Sequence, residues 1–173
     1  MIQQKPAETL LADDTSVEIL LVEDSQSDAK LTLRSLFKSG LVNRIEHVKD
    51  GQAALDYLFC VGRYADRNPA FSPKMVLLDI KLPKVDGLQV LERIRSDPRT
   101  TNLPVVILTS SNQERDIARG YALRANSYIV KPVDFAQFAD AVKNLGMYWL
   151  LINTPPSGRS RSVTATVSGP IND

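Results

Sequence analysis

The sequence predicts an α/β domain built on a doubly wound, five-stranded parallel sheet. Three observations carry the prediction. Short aliphatic runs alternate with segments of helical period five times along the chain. The runs are apolar throughout, as in strands covered on both faces. They also end on charged or hydroxylated residues, at the edge where such sheets bind ligands.

The first run, "VEILLVED" (Val17–Asp24), reads as a buried strand. Ala29, Leu33, Leu36 and Phe37 then follow at i, i+4, i+7 and i+8, and Gly40 offers a stop, which predicts an amphipathic helix. "NRIEHVKD" is a short second strand, leading through Asp50-Gly51 into a helix with Ala54, Leu55, Leu58 and Phe59 on one side. Residues 60–74, "CVGRYADRNPAFSPK", make a long loop with two prolines. "MVLLD" is the third strand, and Leu88, Leu91 and Ile94 mark the helix after it. "PVVILTS" is the fourth strand, Ile117 and Tyr121 suggest the next helix, and "SYIVKP" is the fifth strand. Phe135, Phe138, Ala139, Val142 and Leu145 outline a last helix.

A chain of 173 residues with 43% hydrophobic residues suits one domain with a real core. A formal charge of +1 gives no reason to expect nucleic acid as a partner. No apolar run reaches the roughly 18 residues of a membrane span, and the start lacks a signal-peptide pattern, so a cytoplasmic protein is expected. Cys60 is the only cysteine, which leaves no disulfide frame and predicts a small buried apolar residue. Residues 1–16 and 153–173 are polar or rich in Pro, Gly, Ser and Thr, the composition of flexible segments, which leaves residues 17–152 as the folded domain.

The strand ends assemble one constellation. Glu23 and Asp24 follow the first strand, Asp79 the third, Thr109 the fourth and Lys131 the fifth. Crowded carboxylates repel unless a hard cation sits among them, and oxygen ligands with open water positions suit Mg²⁺. Such a rim can hold a phosphoryl group on a carboxylate. Asp79 is the candidate nucleophile, Lys131 and the metal neutralise developing charge, and Thr109 donates a hydrogen bond. His47 falls on the second strand, which places it away from this rim with a structural role.

At these positions the chain resembles the response regulator receiver family. "EILLVED", "VLLDIKLPKVDG", "PVVILTS" and "YIVKP" match its motifs in order and near its spacing. The resemblance implies the flavodoxin-like receiver fold and a single-domain response regulator phosphorylated on Asp79 by a sensor histidine kinase. It further implies that Glu23, Asp24 and Asp79 hold Mg²⁺ with the backbone carbonyl of Lys81. Thr109 and Lys131 then read the phosphoryl group, Lys131-Pro132 is a cis bond, and Tyr128 is an aromatic switch. Such a protein is not a turnover enzyme: it catalyses its own phosphorylation and dephosphorylation, with Lys81 and Ser111 flanking the path of the attacking water. The long loop, "ILTSSNQERDI" and "LRANSYIVKPVDFAQF" look like the small regulators that serve cyanobacterial and bacterial phytochromes, which implies a phytochrome as the kinase. Arg124 departs from the glycine that most receivers carry there.

Two other functions compete. A haloacid-dehalogenase-type phosphatase also uses an aspartate nucleophile, magnesium and a lysine, but Lys81 stands where it needs a second aspartate. A pure adaptor that takes no phosphate is expected to have lost one of the five rim residues, and all are present. The apolar end "LGMYWLLI" surrounds the axis of the last helix, which predicts a homodimer through that helix with the fourth helix and fifth strand.

Overall fold

The computed structural model describes residues 19–38, 44–110 and 114–131, with Asp140 and Asn144. Its elements are β1 (Ile19–Val22), α1 (Gln26–Lys38), β2 (Ile45–Val48), α2 (Gly51–Phe59), a 3-10 turn (Gly62–Tyr64), β3 (Met75–Leu78), α3 (Gly87–Ser96), β4 (Val105–Thr109), α4 (Glu114–Ala122) and β5 (Ser127–Val130). All five strands run parallel in the order β2-β1-β3-β4-β5. The predicted doubly wound sheet is therefore what forms, and the winding reverses between β1 and β3, which opens a crevice at their carboxyl ends.

Side-chain alternation splits the strands between two cores. Leu20, Val22, Val76, Leu78, Val105 and Ile107 pack with α2 and α3 residues such as Ala54, Leu58, Leu91 and Ile94. Their neighbours Ile19, Leu21, Met75, Leu77, Val106 and Leu108 pack with Ala29 and Leu36 of α1. Each fully buried aliphatic side chain contributes roughly 1.5–3 kcal/mol, so the central strands hold the sheet by mass of burial. β2 lies at an edge and is only half-buried along Ile45–His47, which accounts for its mixed composition.

Some expected core positions fall elsewhere. Phe37 is 51% exposed, because the buried stripe of α1 runs through Ala29, Thr32, Ser35 and Leu36 and leaves Phe37 to one side. Tyr121 on α4 is likewise 53% exposed, with its ring 6.5 Å from that of Tyr128. In α2 the sequence reading omitted Tyr57, which is buried. Cys60 is half-buried and ends α2 in the left-handed conformation, so it caps the helix and is not a core residue.

The 60–74 loop is organised around Arg67. Its guanidinium lies 3.6 Å from the centroid of the Tyr57 ring and donates to the carbonyls of Tyr57 and Phe71. Tyr64 packs edge-on to Tyr57 and donates to Glu46 on β2 at 2.8 Å.

Two close approaches fix the segment after β3. A Cβ on Gly87 would stand 2.0 Å from the carbonyl oxygen of Asp79, and one on Gly51 would stand 2.0 Å from that of Val85. Only glycine lets α2 and α3 start against this segment, whose Lys84 takes a positive φ of 66° and donates to Asp50, the cap of α2. The last helix, its apolar end with Trp149 and Leu150, Ser111, the Lys131-Pro132 bond and the two terminal segments lie outside the described residues.

Candidate functional site

The ladder continues one residue past the strands and sets the rim. Glu23 N donates to Val48 O at 3.0 Å, Asp79 N to Val22 O at 3.0 Å, and Lys131 N to Thr109 O at 2.7 Å. Each site residue is therefore held by its own backbone on a neighbouring strand, so its side chain starts from a fixed point. Glu23 is 2% exposed, Asp79 7% and Thr109 0%, whereas Asp24 faces solvent.

Carboxylate oxygens of Glu23, Asp24 and Asp79 lie within 4.8 Å of one another. The Lys131 ammonium enters this group. It donates to Asp79 Oδ2 at 2.7 Å, to Asp28 Oδ2 at 3.0 Å and to Glu23 Oε2 in a short contact. Asp79 Oδ1 accepts from the Lys81 amide at 3.2 Å, and Glu23 Oε1 accepts from the Ser25 amide at 3.0 Å. Thus Lys81 touches Asp79 through its N–H. Burial pushes the Glu23 carboxyl up to about 7, although Lys131 pulls the other way. Burial opposes charge on Lys131 too, but the bonds to Asp79 and Glu23 outweigh it and raise its pKa. One ammonium among so many carboxylates leaves the pocket anionic, and hard oxygen donors at this spacing suit a small divalent cation.

Of the residues predicted from sequence, Glu23, Asp24, Asp79, Lys81 and Lys131 converge here, and Thr109 closes β4 beside them. His47 corrects the sequence reading. It sits on β2, but its Nε2 lies 2.9 Å from the Glu23 carbonyl oxygen, so it supports the rim from behind. Its ring points along the strand edge to the residue that follows β1. Asp28 joins the site without any signal in the sequence. In sequence an Asp three places after Ser25 signals only a helix start, and no pattern points it at a lysine 103 residues away. Tyr128 is half-buried on β5 beneath Tyr121.

The geometry agrees with what the chain is similar to. The family described as response regulator receiver domain matches residues 19–143. The probable methanogenesis regulatory protein FilR2 of Methanothrix harundinacea (strain 6Ac) is 42% identical over 149 residues, covering 86% of this chain and 93% of its own. Response regulator Rcp1 of Synechocystis sp. is 36% identical, covering 80% and 92%. The crystal structure of its Mn²⁺-bound form superposes with a TM-score of 0.74, covering 82% and 99%. The phosphorylated cyanobacterial phytochrome response regulator RcpA superposes with a TM-score of 0.75 at 39% identity, covering 82% of this chain and 99% of that one. A parallel β2-β1-β3-β4-β5 sheet, a carboxylate cluster at its carboxyl edge and a family match over most of the sequence lead to one conclusion: this chain belongs to the response regulator receiver family.

Proposed function

We propose that the chain is a single-domain phosphoryl acceptor of a two-component pathway, charged on Asp79 by a phytochrome-type histidine kinase. The observation that carries this reading is the Lys131 ammonium bonded at once to Asp79 and Glu23, with Asp24 alongside. Support for the kinase class comes from RcpA, a phytochrome response regulator matched over 99% of its length. Mg²⁺ fits the donor set: Glu23, Asp24 and Asp79 would hold it with the Lys81 carbonyl, and it supplies positive charge against the phosphoryl oxygens. The Mn²⁺ form of Rcp1 supports a divalent ion at this kind of site.

Asp79 attacks the phosphorus of a phosphohistidine in line. Its oxygen forms the new P–O bond as the P–N bond breaks, and the electron pair leaves on the imidazole nitrogen, which is neutralised by a proton. Lys131 exchanges its bond to Asp79 for one to a phosphoryl oxygen, and the Thr109 hydroxyl donates to another. Hydrolysis by water restores Asp79, with Lys81 and Ser111 controlling access, so the chain turns over no substrate of its own. Output is a binding surface on the receiver domain, and the protein acts in the cytoplasm. Among the described residues no helix is long and apolar enough to cross a membrane. Exposed Tyr121 on α4 and Val130 on β5 support a homodimer through that face and the last helix. Replacing Trp149 and Leu150 together by polar residues should shift the light-scattering mass from dimer to monomer.

The reading is tested by incubation with Mg²⁺ and acetyl phosphate, followed by mass. A single phosphoryl gain is expected on the parent and none on Asp79→Asn, whose amide is a far poorer nucleophile of equal size. Undiminished gain on that variant overturns the assignment.

A further inference from the structure

The first turn of α1 is built in an unusual way. Ser25 precedes the helix, and its Oγ accepts from the Asp28 amide at 3.3 Å, which makes Asp28 the third helical residue. An acidic side chain at that place ordinarily reaches back to the amide of the capping residue. Here the Ser25 amide is taken by Glu23 Oε1 at 3.0 Å. The Asp28 carboxylate is thereby released from capping. Its Oδ1 accepts a long 3.4 Å bond from Ser27 Oγ, and its Oδ2 accepts from Lys131 Nζ at 3.0 Å.

Lys131 has three ammonium hydrogens, and the three bonds to Glu23, Asp79 and Asp28 occupy them all. Two of these partners are the carboxylates a cation needs. Asp28 stands apart from that pair: its side chain is 38% exposed against 2% for Glu23 and 9% for Asp79, and it is not part of the cluster of oxygens within 4.8 Å. It holds the ammonium from the more exposed side of the pocket. Without it the lysine has only Glu23 and Asp79 to bind, and a cation that takes either one must displace an ammonium with no third carboxylate to turn to.

We infer that Asp28 is a positioning residue for the phosphoryl-transfer site, giving the Lys131 ammonium a third carboxylate partner to keep when a metal competes for Glu23 and Asp79. This rests on the phosphoryl-acceptor reading above. Asp28 touches neither metal nor phosphoryl group and acts only through Lys131. A purely structural Asp28, serving the helix start alone, would be indifferent to the loss of the lysine at the end of β5.

The test is calorimetric Mg²⁺ titration of the full chain as parent, Asp28→Asn, Asp28→Glu, Lys131→Met and the double variant that combines Asp28→Asn with Lys131→Met. Asp28→Asn should bind Mg²⁺ about fivefold more weakly, the effect of one partly exposed charged contact. Asp28→Glu should recover most of the affinity, since the longer carboxylate still reaches the lysine. In the Lys131→Met background the Asp28→Asn effect should fall below about twofold, as required of a residue that acts through another. Parental affinity in Asp28→Asn, or an equal loss in both backgrounds, overturns the inference, the latter because it marks a direct charge effect on the metal. Denaturant unfolding of the same variants in EDTA gives a readout free of metal. There Asp28→Asn should shift the midpoint more in the parental chain than in the Lys131→Met background, and equal shifts overturn the pairing. A parent that neither binds Mg²⁺ nor gains a phosphoryl group defeats the acceptor reading instead, and the EDTA series still decides whether Asp28 holds Lys131.

Discussion

The carboxyl rim and the 60–74 loop each enclose a cation, and they do so with opposite means. Lys131 is held by carboxylates of Glu23, Asp28 and Asp79, so its cage carries more charge than it neutralises. Arg67 is held by the carbonyls of Tyr57 and Phe71, the Cys60 sulfur and the face of Tyr57, all neutral. A neutral cage is complete once the arginine is in it and has nothing to trade. An anionic cage has charge left over, and under the proposed function it trades the lysine's contacts for a metal ion and for phosphoryl oxygens. On that proposal the same residue class is structural in one place and chemical in the other because of the groups around it.

The sharpest way to break this contrast is to replace each cation by methionine. Lys131→Met should cost about 3 kcal/mol of stability in EDTA, since it leaves buried carboxylates uncompensated. Millimolar Mg²⁺ should restore most of that loss, as the metal takes over the neutralising role. Calorimetric or denaturant unfolding with and without Mg²⁺ measures both values, and a loss insensitive to Mg²⁺ would place Lys131 with Arg67. Arg67→Met should cost about 2 kcal/mol through lost ring stacking and carbonyl bonds. Here Mg²⁺ should restore nothing, and acetyl-phosphate labelling of Asp79 should proceed at the parental rate.

Glu23 sharpens the comparison through pH. Its carboxyl is raised from 4.5 to about 7 by burial, so in the metal-free protein the fold favours the protonated form. The contribution is therefore fully present below about 4.5 and is lost as pH rises through about 7. Glu23→Gln, which cannot ionise, should match the parent near pH 4 in EDTA and exceed it by on the order of 1 kcal/mol at about pH 8. Parallel unfolding curves for the two proteins at both pH values would show that Glu23 carries no strain at the rim. The smallest effect concerns Arg124, which takes a positive φ of 60° after α4 while Arg95 donates to its carbonyl at 2.9 and 3.1 Å. Arg124→Gly should stabilise by about 0.5 kcal/mol, since glycine adopts this backbone without strain and the carbonyl remains. A destabilised variant would mean that the arginine side chain itself contributes there.

The fold was legible because the strands of a parallel sheet are covered on both faces, and "MVLLD" or "PVVILTS" therefore shows as an unbroken apolar run. The rim was legible for a related reason: a strand that stops on Asp79 or Lys131 puts that residue at the edge whatever the helices do. Asp28 and His47 escaped because they reach the rim from elsewhere, one across a helix start and one across an edge strand. Helix faces were read less well than strands. A drift of one position on α1 sends Phe37 outward and buries Thr32 and Ser35, and in α2 the amphipathic ring of Tyr57 turns inward under Arg67.

The glycines at 51 and 87 act as two rivets on a strap. The strap is the stretch from Ile80 to Asp86, and at each rivet a carbonyl oxygen stands where any other residue would put its Cβ. Bulk added at either point cannot be absorbed by a rotamer change; it must lift the strap, and with it the backbone of Asp79, whose own carbonyl faces Gly87. Bulk added between them meets no such obstacle at Lys81 or Lys84, both of which are exposed. Substitutions in the middle of the strap therefore change what surrounds the mouth of the pocket, whereas substitutions at its ends move Asp79 itself.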